Sequence, residues 1–173
     1  MKTIKFLILS IMLISFYNCE DDGPDLQDIQ SVTVEDLHAP QEGGQGQPIS
    51  GQFTKFDFET GSETNSETDW DIAFRGTSII VNGGISLGTN DEPERTGDAG
   101  VYIFNGTMAE MVVVDTSLIT QDSSEGYAIA SGSGNGWYTY TGPPTYLISP
   151  TPGKILVFRT RDGKYAKREI RSY

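Results

Sequence analysis

The chain has 173 residues, 36% of them hydrophobic and 10% aromatic, which is enough for one domain that folds without staples. Its 24 acidic and 12 basic side chains give a formal net charge of −12, so long-range repulsion from phosphate and anionic lipid excludes a nucleic-acid binder or a polybasic membrane-surface protein. One Cys and one His exclude an internal disulfide and a structural zinc site.

Lys2 and Lys5 precede an almost continuous apolar run, Phe6 to Phe16, and Cys19 follows. The run is about half of the roughly 20 residues a membrane-spanning helix needs, and it reads as a secretion signal. A Cys at the end of such a run resembles a bacterial lipoprotein cleavage site, where that Cys is acylated and becomes the new N-terminus. Residues 1–18 are then the signal peptide and Cys19 the lipidation site, although Asn18 stands where the pattern has Gly, Ala or Ser. Glu20, Asp21 and Asp22 are similar to the acidic signals that send lipoproteins to the outer face of the outer membrane, so a lipid-anchored, cell-surface location is expected; a solvated acidic linker is the plainer alternative. Residues 19–48, rich in Asp, Glu, Gln, Gly and Pro, suit a flexible acidic tether. Within it only Ser31 to Glu35 alternates like a short strand.

Residues 49–173 read as β throughout. Phe56 and Phe58 open the pattern. In Thr68 to Arg75, Trp70, Ile72 and Phe74 share one parity and Asp69, Asp71, Ala73 and Arg75 the other, which predicts a strand with one buried face. Ile79 to Val81, Val101 to Phe104 and Met111 to Val114 are further short apolar runs, and no helical stripe persists. Lys154 to Arg161 and Lys164 to Arg171 flank Asp162-Gly163, a dipeptide favoured in two-residue hairpin turns. That turn opposes Thr160 with Tyr165, Phe158 with Lys167 and Leu156 with Glu169. Short strands punctuated by Gly and Pro predict an all-β fold, an antiparallel β-sandwich or barrel-like single domain. Lys154 to Tyr173 holds seven basic and two acidic residues, a balance of +5 in an otherwise acidic chain.

Little of the polar inventory points to catalysis. His38 lies in the tether and Cys19 is expected to be acylated, which leaves no Ser-His or Cys-His arrangement. Asp69 and Asp71, two apart in a predicted strand, sit roughly 6.5 to 7 Å apart on one face, near the lower bound for inverting glycosidases. A carbohydrate-active enzyme on this pair is the third-ranked reading; structural hydrogen bonding without a buried, pKa-raising environment is the plainer one. Asn90, Asp91, Glu92, Glu94 and Asp98 offer oxygen ligands but lack EF-hand spacing, and read as a turn with solvated acids. Gly83-Gly84 and Gly132, Gly134 and Gly136 lack phosphate-loop spacing and read as turns.

Four strings in order, Thr68-Asp69-Trp70-Asp71-Ile72-Ala73-Phe74-Arg75-Gly76, Asp91-Glu92-Pro93-Glu94-Arg95-Thr96-Gly97, Gly134-Asn135-Gly136-Trp137-Tyr138 and Asp162-Gly163-Lys164-Tyr165-Ala166-Lys167, behind a lipoprotein leader, resemble the HmuY-like lipoproteins of diderm bacteria. The resemblance covers roughly Gln52 to Tyr173 and implies an all-β, non-enzymatic haemophore for iron acquisition, with haem as cofactor and an outer-membrane haem transporter as partner. A member that has lost haem binding and serves as an envelope binding or interaction lipoprotein is the runner-up. The founding member's bis-His ligation is impossible here, because the only His, His38, lies upstream of the similar region. Met108 and Met111, three apart beside a predicted strand, would point to opposite faces and read as core filler. Tyr138, Tyr140 and Tyr146 flank the turn Thr141 to Pro144 near where one family ligand would fall, and Tyr can ligate haem iron as phenolate. Cross-strand aromatic packing is their plainer reading. Arg159, Arg161 and Arg168 would pair with haem propionates, or simply block strand pairing at a sheet edge. The resemblance also implies a further terminal strand beyond Tyr173.

Overall fold

The computed structural model describes residues 29–44 and 46–173. The leader, Cys19 and the acidic stretch through Asp28 lie outside them. Among the described residues eleven strands follow one another: β1 (Glu42–Gly44), β2 (Gln47–Ser50), β3 (Thr54–Asp57), β4 (Ser62–Thr64), β5 (Ile72–Arg75), β6 (Ser78–Val81), β7 (Gly100–Asn105), β8 (Tyr138–Tyr140), β9 (Ile148–Pro150), β10 (Lys154–Arg159) and β11 (Tyr165–Glu169). The only helical turn among the described residues is a single 3₁₀ turn at Thr116–Leu118. Every strand pairing is antiparallel. A four-stranded sheet runs β4-β3-β5-β6, a three-stranded sheet β11-β10-β7, and β1-β2 and β8-β9 are separate hairpins. The expected all-β antiparallel architecture is present, with no closed barrel among the described residues.

Phe56, Ile72, Phe74, Ile79 and Val81 of the larger sheet meet Val101, Leu156 and Phe158 of the smaller in one buried cluster, which makes the pair a sandwich. The outer faces are covered too. Phe53, Trp70, Ala73 and Ile80 form a second cluster with Tyr127 on the far side of the larger sheet. Met111, Ile155 and Val157 form a third, with Tyr102, Phe104 and Met108, on the far side of the smaller. Such a double-faced core explains why the alternation predicted for Thr68 to Arg75 fails. The strand begins only at Ile72, every residue from Trp70 to Arg75 is buried, and Trp70 packs on the face opposite Ile72 and Phe74. Arg75, expected on an outer face, is buried at 2% exposure and donates to the carbonyls of Gly51 and Asn90.

The β10–β11 turn also departs from expectation. Observed partners are Arg159 with Tyr165, Phe158 with Ala166, Val157 with Lys167 and Leu156 with Arg168. The Gly163 N–H donates to the Thr160 carbonyl and the Thr160 N–H to the Lys164 carbonyl, while Gly163 alone in the loop has positive φ, +85°. This is a three-residue loop, a type I turn closed by a glycine bulge, and the extra residue shifts the register by one. Phe158 and Leu156 thereby face Ala166 and Arg168 rather than Lys167 and Glu169. Met111 to Val114 forms no strand: Met111 is buried, whereas Val112 and Val113 are exposed. Ser31 to Glu35 is likewise not a strand, but Val34, Leu37 and Ala39 pack against the central cluster.

Candidate functional site

The sequence Trp137-Tyr138-Thr139-Tyr140 enters β8 from a loop that stays hydrogen-bonded beside it: the Gly134 N–H donates to the Tyr138 carbonyl at 2.9 Å and the Tyr140 N–H to Ser133 Oγ at 2.8 Å. Trp137 is buried and its indole N–H donates to the Thr77 carbonyl at 2.9 Å, which fastens the hairpin to the β5–β6 turn. Tyr138 lies beside it, ring centroids 5.1 Å apart, and its hydroxyl accepts from Thr77 Oγ1. Tyr138 therefore faces the protein body, while Tyr140 and Tyr146 face solvent at 43% and 63% exposure. Tyr146 sits in the β8–β9 loop with φ of +51°, its N–H donating to the Gly142 carbonyl at 2.8 Å. Thr141 closes that loop: its N–H donates to the Leu147 carbonyl, and its hydroxyl accepts from the Leu147 N–H. Neither the Tyr140 nor the Tyr146 hydroxyl bonds to a protein group among the described residues. The three tyrosines thus share one hairpin but divide into one packed phenol and two free ones.

Beside this hairpin opens a cleft of about 310 Å³ lined by Ala39, Pro40, Gln41, Gly76, Thr77, Ile148 and Tyr173. No charged side chain lines it. The Tyr173 ring stacks at 6.0 Å from Trp137, a contact with no signal in the strand pattern.

The three arginines expected to pair with propionates are all engaged. Arg159 bonds the Asp98 carboxylate at 3.0 Å and the Asp98 carbonyl at 2.9 Å. Arg161 meets Asp57 at 2.8 Å and Asp71 at 3.3 Å, with Glu59 at 3.7 Å. Arg168 points inward from β11 and stacks over Phe74 and Phe56 at 4.8 and 5.5 Å, its pKa pushed down by burial. The basic hairpin therefore does not present three free guanidinium groups.

Asp69 and Asp71 are not a pair. Asp69 is exposed and accepts from the Ser66 and Thr68 hydroxyls. Asp71 is 1% exposed and accepts the N–H groups of Phe58 and Arg161, each at 2.8 Å. Contrary to expectation its surroundings do raise its pKa, through burial. Burial opposes ionisation of Asp57 as well, yet the Arg161 hydrogen bond, the Glu59 N–H and the Arg161 charge bring its pKa net below the ordinary value. Both acids are structural counter-charges to the turn.

Of the acids in residues 90–98, Asp91, Glu94 and Asp98 are exposed, as a solvated turn has them, and only Glu92 departs from that expectation. Glu92 and Asp122 are 1% and 0% exposed in their side chains and share Arg95, whose guanidinium lies 5.8 Å from the Trp70 ring. The Glu92–Arg95 spacing of three was the available signal, and the run of acids masked it. Asp91 accepts the Gly51 N–H. Asn82, missed altogether, is fully buried: its amide donates to the Thr68 and Trp70 carbonyls and its oxygen accepts from Thr96 and Gly97. Met108 and Met111 pack into one cluster rather than opposite faces, because the segment between them is a turn that lays both over the smaller sheet.

No group of three or more His, Cys, Asp or Glu side chains among the described residues could hold a metal ion. No helix among them is long and apolar enough to cross a membrane. No curated protein matches this chain. The family model described as HmuY protein matches residues 50–173, the whole of the sandwich and the tyrosine hairpin, and the chain belongs to the HmuY family.

Proposed function

We propose that this protein is a non-enzymatic haem-binding lipoprotein of the bacterial surface, anchored through Cys19 and ligating haem iron through Tyr140 or Tyr146. The observation that carries the reading is the family match across residues 50–173. The donor set in that region suits a phenolate rather than an imidazole, since it contains no His. Tyr140 and Tyr146 offer exposed hydroxyls free of protein partners, whereas using Tyr138 would cost its Thr77 bond and its packing on Trp137. Phenolate ligation supplies a hard anionic donor to ferric iron. Propionate pairing by Arg159, Arg161 or Arg168 would compete with contacts those side chains already make, so the proposal rests on ligation.

Haemin titration of the purified protein tests it. The expected result is a saturable Soret change at one equivalent that Tyr140→Phe or Tyr146→Phe shifts and Tyr138→Phe leaves in place. A non-saturating response from folded protein overturns haem binding. Fatty-acid labelling lost in Cys19→Ser tests the anchor, and capture by an outer-membrane haem transporter is the downstream step. The uncharged cleft beside Trp137 favours a second reading, a lipoprotein that binds another small neutral ligand there.

A further inference from the structure

Asn-Gly occurs three times in the chain, at Asn82-Gly83, Asn105-Gly106 and Asn135-Gly136. A glycine carries no Cβ to shield its nitrogen and its backbone turns freely, so in an unfolded chain each pair is able to cyclise. Cyclisation asks two things of a fold: an asparagine side chain that can swing back over its own main chain, and a following N–H that no acceptor holds. Asn82 fails the first. It is fully buried, its amide donating to the Thr68 and Trp70 carbonyls and its oxygen accepting from Thr96 and Gly97. Asn105 fails both, because its Oδ1 accepts from Lys154 Nζ at 2.7 Å and the Gly106 N–H donates to the Gly153 carbonyl at 2.9 Å.

Asn135 meets both conditions. It is exposed in the loop Ser131-Gly132-Ser133-Gly134-Asn135-Gly136, where Gly132 and Gly134 have φ of +97° and +79°. Its side-chain amide donates only to the Ser131 carbonyl and its own N–H only to the Gly132 carbonyl, each at 3.2 Å and each within the loop. The Gly136 N–H bonds no protein group among the described residues. A Cβ on Gly136 would lie 2.3 Å from the Ala130 carbonyl oxygen, whereas one on Gly134 would meet nothing within 4 Å, so the tip is free to move over a fixed Gly136. We propose that Asn135 is a self-modification site at which the Gly136 nitrogen attacks Asn135 Cγ. The side-chain amide leaves as ammonia with the proton that nitrogen gives up, and a succinimide closes. Solvent water then opens the ring at one of its two carbonyls, giving aspartate or isoaspartate with no change in oxidation state.

Isoaspartate carries the main chain through Cβ and Cγ and lengthens it by one methylene. The Gly134 N–H bond to the Tyr138 carbonyl and the Tyr140 N–H bond to Ser133 Oγ both close rings that run through Asn135. The extra methylene opens both and frees β8 from its loop.

The test incubates the full chain in mildly alkaline buffer, folded or unfolded in urea, and follows each Asn-Gly peptide by mass spectrometry, with isoaspartate read by enzymatic carboxyl methylation. Unfolded, the three sites should convert at similar rates. Folded, Asn135 should convert at least about tenfold faster than Asn105 or Asn82, the factor imposed by one hydrogen bond that must first break. Aged protein should exchange the Gly134 and Tyr140 amides faster, and Asn135→Gln should retain slow exchange at both. The comparison of sites within the unsubstituted chain stands independently of how that variant folds. Equal rates at the three sites of the folded chain, an unmodified Asn135, or isoaspartate formation that leaves both amides protected overturns the proposal.

Discussion

Asp71 accepts the backbone N–H of Arg161 at 2.8 Å although 90 residues separate them. The contact joins the entry to β5 with the β10–β11 turn, and Arg161 returns its guanidinium to Asp57 at the end of β3. Two carboxylates of one sheet thus hold the turn of the other, and the turn's own basic residue answers their charge.

Removing Asp71 leaves the Phe58 and Arg161 N–H groups unpaired and Arg161 short of one counter-charge. Asp71→Ala is expected to lower stability by about 3 kcal/mol in urea denaturation. Asp69→Ala, exposed and bonded only to hydroxyls, should stay within about 1 kcal/mol. Comparable losses from the two would refute the division of roles.

Acid titration should show two opposed limbs. Burial holds Asp71 and Asp122 above their ordinary pKa, so their ionised forms cost stability at neutral pH and protonation relieves that cost as the pH falls toward about 4. Burial opposes ionisation of Glu92 too, but the Thr89 N–H and the Arg95 charge bring it net below the ordinary value, as Arg161 does for Asp57. The stability contributed by Asp57 and Glu92 is present above their unfolded pKa and is lost as pH falls through the lower folded one, below about 4. The urea midpoint should therefore hold level or rise on mild acidification and then drop. Asp57→Asn should flatten the drop, and Asp71→Asn should remove part of the rise.

Arg95 neutralises two carboxylates that are almost completely inaccessible. Arg95→Met leaves them facing each other and is expected to cost about 3–5 kcal/mol at neutral pH. The deficit should shrink in acid, where one of the pair takes up a proton. Equal deficits at neutral and acidic pH would show that Arg95 acts through packing on Trp70 instead.

Gly163 occupies the left-handed position of its loop at φ +85°. Gly163→Ala should lower stability by about 1 kcal/mol without altering the far-ultraviolet spectrum. A neutral result would mean that the turn relaxes to another type.

Sequence patterns reveal a local structure when one face of an element is wet. They exposed the β class, the β5 region and the existence of the final hairpin. They concealed the sidedness of Trp70 and Arg75, because loops cover the second face of each sheet and the alternation there carries no polarity. Asp162-Gly163 marks a turn equally well for two-residue and three-residue loops, and only Thr160 pairing with Lys164 decides between them. Gly83 and Gly84 read as a turn, yet a Cβ on either would lie about 2 Å from the Ala99 or Asp122 carbonyl oxygen, so close backbone approach is what requires them. At the candidate site the tyrosines were legible as residue types. The bond from Thr77 that separates Tyr138 from Tyr140 and Tyr146 spans 61 residues and leaves no local trace.

The segment ahead of the strands bears on how the domain responds to force. Gly76 donates its N–H to the Ala39 carbonyl at 2.7 Å, Thr54 its hydroxyl to the His38 carbonyl at 2.6 Å, and Val34 and Leu37 are tucked against the central cluster. A pull applied upstream of Val32 is resisted by this clasp before it reaches any strand of the sandwich. The first mechanical event is then a peeling of residues 32–41, which would uncover part of the apolar core beside the tyrosine hairpin while both sheets remain intact.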